Sequence, residues 1–394
     1  MMMGEGKVGA KRNSLFYVSI LLFWFAQYIY MPFLNPFMSG IGITATVIGA
    51  IGGVYGVTQL VLRIPLSIGA SLVSSHKPII IGGLFAVVVS CLLPVFSHSW
   101  IAFFMMRALA GVSSSTWISY TSYQLECAGD TINSRMGLVM ACYMGGISLS
   151  QILGTAIYDI VGINGLFYIG ALAAALGAIL IVLTPFRPRF EKKENKKQFD
   201  WSLWVGAIKN KHLWMCSIIM SIGWWAMFSS SWGFTGVFAS EKLGATSVQV
   251  GLIAFVCQMA SVFISLVFGR LKGRKLPERA LLICAFVLLG IYCVLSPHCP
   301  GATYLIILQL VGGAAISVPN VLLFANAGRE LSSAQQIFSM GIFQSVYSIG
   351  ITVGPIVSGL IVDAAAGGFT IMFYSLGIVS AIGAAMVFFF YKSR

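Results

Sequence analysis

Apolar positions in this chain neither alternate with polar ones nor recur at three-and-four spacing; they continue for about twenty residues at a time. That is the length at which an α-helix, rising about 1.5 Å per residue, crosses about 30 Å of hydrocarbon. Turn residues and charges divide the runs into twelve expected spans. Six lie near Leu15 to Met38, Thr46 to Ser71, Ile79 to Val95, Trp100 to Tyr123, Ser134 to Ile160 and Leu166 to Leu183. Six more lie near Leu213 to Ala239, Ser247 to Gly269, Arg279 to Leu295, Ala302 to Ala327, Gln335 to Val362 and Phe369 to Tyr391. A β-barrel would show alternating segments of about ten residues, so the expected class is an all-α membrane protein with two six-helix bundles.

Composition agrees with that pattern. Of 394 residues, 58% are hydrophobic and 9% charged, against about 25% charged in a soluble domain. The net charge of +13 sits in loops, which points to membrane orientation rather than nucleic acid. With the N-terminus inside, one set of loops holds Lys7, Lys11, Arg12, Lys77, Arg135, Arg329, Lys392, Arg394 and the clusters Arg187 to Lys211 and Arg270 to Arg279; the other set holds only Lys242. Both termini are therefore expected in the cytoplasm of a cell-membrane protein. The basic start precedes an apolar run too long for a signal peptide and is taken as the flank of a retained first span. The stretch "TPFRPRFEKKENKKQFD" divides the chain into residues 1–184, a solvated linker 185–211, and residues 212–394.

The halves repeat one another. "FWFAQY" from Phe23 corresponds to "GWWAMF" from Gly223, "TATVIGAI" from Thr44 to "TSVQVGLI" from Thr246, and "GISLSQILGTAIYD" from Gly146 to "GITVGPIVSGLIVD" from Gly350, at offsets of 200, 202 and 204. Ordered matches with a slow drift are what a duplicated six-span unit leaves.

On these residues the chain resembles the major facilitator superfamily, whose two six-span halves rock around a midplane site. In "FFMMRALAGVSSS", Arg107 with Gly111 is similar to the family's fourth-span pattern, with Ala110 in place of the usual glutamine. The stretch "QLVLRIPLSIGASLVSSHKP" resembles the signature between spans two and three, but Ser71 stands where the family's aspartate would help latch the halves, and only His76 and Lys77 remain of the basic turn. The Gly-Pro expected in span five of exporters appears instead as Gly354-Pro355 in span eleven, residues suited to close contact or bending at a seam between halves. Within span two, Arg63 is expected to reach water or headgroups at the cytoplasmic surface, with carbonyls freed by Pro65 as local partners.

The resemblance implies a cavity lined by spans one, four, seven and ten with help from five, eight and eleven. Candidate lining residues are Trp24, Gln27 and Tyr28 in span one, Arg107 and Trp117 in span four, and Tyr143 and Gln151 in span five. The second half offers Trp225, Phe228, Asn320, Gln344 and Tyr347. All eleven acidic residues lie away from span centres, while Arg63 and Arg107 are embedded. That tilts the expected solute toward a small organic anion or neutral molecule and away from a cation. The expected function is secondary active transport by a monomer, with protons as a candidate coupling ion; multidrug or metabolite efflux is the alternative. His76, His98, His212 and His298 all lie near loops, so no catalytic set assembles and no enzyme, cofactor or metal site is expected. No segment is long enough for the soluble domain of a receptor. The eight cysteines are expected as reduced packing residues, Cys293 and Cys299 being the one candidate pair.

Overall fold

A computed structural model describes residues 3–72, 75–127, 132–184, 201–270 and 277–391 of the protein. Its described residues form helices and no strands. The first crossing is broken in two, α1 (Met3–Tyr28) and α2 (Met31–Gly40), followed by α3 (Ala45–Leu72) and α4 (Lys77–Phe96). The fourth crossing is also broken, as α5 (Trp100–Ser115) and α6 (Trp117–Cys127), and α7 (Ile132–Leu183) completes the first bundle. After α8 (Trp201–Ile208) come α9 (Lys211–Ser229), a wider-turned segment Ser230–Phe234, and α10 (Thr235–Leu243). The second bundle continues with α11 (Ser247–Arg270), α12 (Glu278–Leu295), α13 (Ala302–Asn326), α14 (Ser333–Ala364) and α15 (Gly368–Phe390).

Among the described residues, eleven stretches are long and apolar enough to cross a membrane, one of them the 49-residue Arg135–Leu183. At about 1.5 Å per residue that stretch would be more than twice as long as the bilayer core is thick. It reverses at Gly162, whose φ of 66° and ψ of −176° leave the helical region. Before the reversal, Gly146 abuts the Leu21 carbonyl and Gly154 the Ile29 carbonyl, so the two chains run parallel. After it, Gly170 meets Ala26 and Gly177 meets Leu22 and Ser19, so the direction is opposite. The stretch is two crossings flanking α1, and the total is the twelve expected.

Local chemistry explains the breaks. Pro32, at the start of α2, lacks the N–H that would donate to the Tyr28 carbonyl and continue α1 into α2. At the repeat-related place in the second half, the chain widens over Ser230–Phe234, with Ser230 Oγ donating back to the Ala226 carbonyl at 2.6 Å. Large apolar side chains such as Phe85, Ile160, Phe263 and Phe389 are exposed around the outside, as a surface facing lipid requires. The face where the chain begins and ends is called basal below, and the opposite face distal.

The bundles meet most closely along α3 and α14, which run antiparallel from the distal to the basal face. Gly49 and Gly52 lie against Pro355, Gly53 and Gly56 against Thr352, and Gly341 against Ser67. Glycine allows this approach because no side chain separates the two backbones. At the distal end the Asp363 carboxylate accepts from the backbone N–H groups of Ala45 (3.1 Å) and Thr46 (2.7 Å), capping α3 from the other bundle. Pro355 thus lies on the seam between the bundles, while Gly354 faces α9 in its own half, against Ser229 and Trp225.

One expectation changes. The linker's last part is not solvated chain, since "WSLWVGAI" forms α8, with Ala207 buried and the Ile208 carbonyl accepting from Trp214 Nε1 at 2.7 Å. Its apolar residues make packing more favourable than exposure. The rest of the linker, residues 185–200, and the side chain of Ser71 lie outside the described residues. Cys293 and Cys299 are both free thiols.

A Cβ at Gly49 would overlap the Pro355 carbonyl, whereas one at Gly69 meets nothing within 4 Å. Gly49→Ala is therefore expected to lower thermal stability in detergent by several degrees, as overpacking of about 1–3 kcal/mol does. Gly69→Ala should hold or slightly raise it, measured for both by fluorescence-detected size exclusion on heating.

Candidate functional site

Where the two broken crossings approach each other, α2 meets α10 and α11 across the distal half of the molecule. Asn35 Nδ2 donates to the Gly233 carbonyl at 2.8 Å, and the Ser39 hydroxyl bonds Glu241 near the distal surface. Beneath this closure lies a narrow cleft lined by Tyr28, Met31 and Asn35 from the first crossing, Gln151 from α7, and Trp232 and Val250 from the second half. The space open to water centres is only about 30 Å³, room for a water or two. Among the described residues, the distal closure thus leaves room in this cleft for water but not for a solute.

An aromatic wall continues from the cleft toward the basal side. Trp24 packs edge-on against Tyr143 at 4.6 Å and Trp117 at 5.3 Å between ring centroids. Tyr28 reaches Trp232 of the other half at 5.5 Å. Phe228 lies 5.2 Å from Trp232 and 6.1 Å from Tyr55, nearly parallel to it. Trp224 joins Phe228 at 5.4 Å, Trp232 at 5.8 Å and Tyr347 at 6.1 Å. Such rings give apolar area with edge and face electrostatics suited to a planar guest.

Both embedded arginines sit in this wall. Arg107 is 6% exposed, with its guanidinium carbon 4.3 Å from the centre of the Tyr55 ring and Nη1 3.3 Å from Met31 Sδ. Gly111, one turn on, lets α5 close against the Tyr55 carbonyl and Thr58, which fixes where Arg107 points. The Tyr55 hydroxyl pairs with Ser114 Oγ at 2.9 Å, and Ser114 donates to Gln27 Oε1 at 2.9 Å. Ring face, sulfur and hydroxyl chain are all neutral, so no carboxylate balances Arg107 among the described residues. A charge within a membrane span costs at least about 2.5–3.5 kcal/mol unless the protein or cavity water solvates it.

Arg63 corrects the sequence expectation. It is 7% exposed rather than reaching basal water, and its partners are not the carbonyls near Pro65. Nη1 donates to the Tyr347 hydroxyl at 2.5 Å and to the Gln344 carbonyl at 3.3 Å, with the guanidinium carbon 5.1 Å from the Tyr347 ring centre. The partners lie across the seam because α14, set close by the glycines, presents them where the membrane offers none. Gln344 thus enters through its backbone rather than its amide.

Other expected residues divide. Gln27 and Gln151 are each 3% exposed, and Gln27 Nε2 and Gln151 Oε1 have no hydrogen-bond partner among the described residues. Trp225 does not join the aromatic wall; it packs on Gly354, and Trp224 takes the place facing the interior. One residue is about 100° of helix rotation, too fine for a reading without tertiary contacts. Asn320 is half-buried on α13, with no hydrogen-bond partner among the described residues. Tyr55 and Gln59 were missed in the sequence because the resemblance leaves span two out of the cavity lining, although Tyr55, Gln59 and Arg63 recur every four residues on one face.

The Major Facilitator Superfamily model matches residues 16–297 and 230–394. An uncharacterized MFS-type transporter of Methanocaldococcus jannaschii is 22% identical over 338 residues, covering 84% of this chain and 86% of that protein. Among solved structures, a point mutant of the nucleoside transporter NupG superposes with a TM-score of 0.78 at 17% identity, covering 97% of this chain and 100% of that one. The human organic anion transporter MFSD10 gives 0.69 at 18% identity, covering 96% and 99%. A bacterial homolog of the human lysosomal transporter Spinster, inward-facing and unoccupied, gives 0.75 at 12% identity with 96% of both chains covered.

Replacing Tyr347 by Phe keeps the ring beside Arg63 and removes the hydroxyl. The loss of one bond to a charged group, about 1.5–3 kcal/mol, should lower thermal stability. Tyr347→Ala should lower it further by also removing the cation–π contact, an order that thermal unfolding of the two variants checks.

Proposed function

We propose, starting from the fact that this chain belongs to the Major Facilitator Superfamily and is a membrane transporter of a solute, that it is a secondary active, alternating-access carrier of a small organic solute, anionic or neutral. The observation that carries the solute class is Arg107: a buried guanidinium held by a ring face and a thioether, with no carboxylate among the described residues around it. An anion about 4 Å away would be attracted by roughly 4 kcal/mol at an effective dielectric near 20. The rings around it suit a planar body. Efflux of lipophilic cations, the alternative, would find the aromatic wall but no carboxylate among those same residues. The basal face is assigned to the cytoplasm from the loop charges, with the protein working as a monomer in the cell membrane.

Alternating access follows from the two-bundle arrangement. With α2 against α10, the cleft is closed distally, and transport requires that contact to part while the basal side closes. Arg63 on Tyr347 and Asp363 on α3 tie the bundles together near opposite ends of one seam. Of the two, only the Arg63 tie lies toward the basal end of α3, the end at which the family's acid between spans two and three would act.

Counterflow in proteoliposomes with labelled aromatic carboxylates, nucleosides and lipophilic cations tests the solute class. Exchange of carboxylates or nucleosides is expected; exchange of cations alone would overturn it. Arg107→Ala should fold and lose at least about thirtyfold in uptake, since removing one partner of a buried charge contact costs about 2 kcal/mol or more. Arg107→Lys should keep part, retaining the charge but not the planar stack on Tyr55.

Proton coupling is the further expectation for energising the cycle. Collapsing the pH gradient should abolish uphill accumulation while leaving counterflow exchange in place. Accumulation that survives the collapse removes the proton as the coupling ion.

A further inference from the structure

Gln59 is 1% exposed, and neither its Oε1 nor its Nε2 has a hydrogen-bond partner among the described residues. It lies on α3 one helical turn from Tyr55 and one from Arg63. Both neighbours face the interior, since Tyr55 carries the Arg107 guanidinium and Arg63 bonds Tyr347. Phe228, from α9, lies 6.1 Å from Tyr55 and nearly parallel to it, which sets the second bundle's aromatic wall opposite this part of α3. Gln59 is therefore the buried middle of a column Tyr55–Gln59–Arg63 whose two ends carry the guanidinium contacts of the interior.

The polar hydroxyls of α14 that pack along α3 are already engaged. On α14, Ser345 donates to the Leu60 carbonyl at 3.1 Å, Ser348 to Gln344 at 2.7 Å and Thr352 to Ser348 at 2.9 Å. The Tyr55 hydroxyl is paired with Ser114 and the Tyr347 hydroxyl with Arg63. A buried carboxamide that leaves both a donor and an acceptor unpaired is costly. Arg63 Nε, one turn away, is likewise without a partner.

We infer that Gln59 is a specificity-determining residue for the solute, reading a planar amide edge in which an N–H lies beside a C=O. A carboxamide meets such an edge with two parallel hydrogen bonds, as glutamine does with the edge of a purine. The guanidinium groups lie one turn to either side, Arg107 over Tyr55 and Arg63 itself, with the Phe228 ring against Tyr55 and the Trp224 ring against Tyr347. The solute class is a flat heterocycle carrying both a lactam-type edge and a negative charge. This rests on the transporter reading above and narrows it.

Three probes separate the parts: orotate has the lactam edge and a carboxylate, uracil the edge alone, and benzoate the charge alone. In proteoliposomes, Gln59→Met is expected to lower the ratio of orotate to benzoate uptake by at least about tenfold, within the range of one bidentate amide contact. Arg107→Ala should move the ratio of orotate to uracil uptake in the same sense. In the wild-type protein, which needs no variant to fold, uracil should compete with labelled orotate at least about tenfold better than 1,3-dimethyluracil, which lacks the N–H donors. Equal competition by the two uracils, an orotate-to-benzoate ratio within twofold of wild type in Gln59→Met, or uptake of benzoate without orotate overturns the inference and leaves the anion carrier standing. Uptake of none of the three, with lipophilic cations carried instead, overturns both.

Discussion

Hydrocarbon offers a guanidinium nothing to bond, so Arg63 and Arg107 must be satisfied by the protein itself, and the interior is arranged around that requirement. Neither has a carboxylate beside it among the described residues. Arg107 lies on the Tyr55 ring with Met31 at its side, and Arg63 crosses to the other bundle for a hydroxyl and a carbonyl. Contacts of this kind hold a charge without cancelling it. The interior consequently keeps a positive character that a carboxylate partner would have removed, and the aromatic side chains give that charge a walled, largely apolar setting.

The crossing of Arg63 depends on the seam. The α3 and α14 backbones approach closely because Gly49, Gly52, Gly53 and Gly56 present no side chains to Pro355 and Thr352. Only at that separation do Tyr347 and the Gln344 carbonyl come within reach of Arg63. The same approach puts the N-terminus of α3 beside Asp363 at the other end. Close packing and the polar contacts are thus one arrangement: larger residues along the glycine face would separate the helices and leave the arginine unpaired.

Much of this architecture was legible in the chain. Uninterrupted apolar runs showed the crossings, and the Gly146 and Gly350 repeats showed the duplication that appears as paired breaks in the first and seventh crossings. Arg107 stood out as a charge inside an apolar run, and its burial follows from the cost of exposing it to lipid. What could not be read was rotation and distant contact. Trp224 and Trp225 are equivalent as letters, and only the packing of α9 against Gly354 separates them. Arg63 and Tyr347 are 284 positions apart, so local reasoning turned to carbonyls near Pro65. Tyr55 and Gln59 showed their four-residue spacing but lay in a crossing not expected to line the cavity.

Asp363 and Arg63 fasten the same pair of helices near opposite ends, but in different surroundings. Asp363 is exposed, and its attraction to the first N–H groups of α3 is a charge–dipole interaction through a solvated boundary. Dissolved ions screen such an interaction strongly, whereas they barely penetrate to a guanidinium that is 7% exposed. Ionic strength therefore acts on the seam unevenly, loosening its distal end while leaving the fastening at Arg63 almost unchanged.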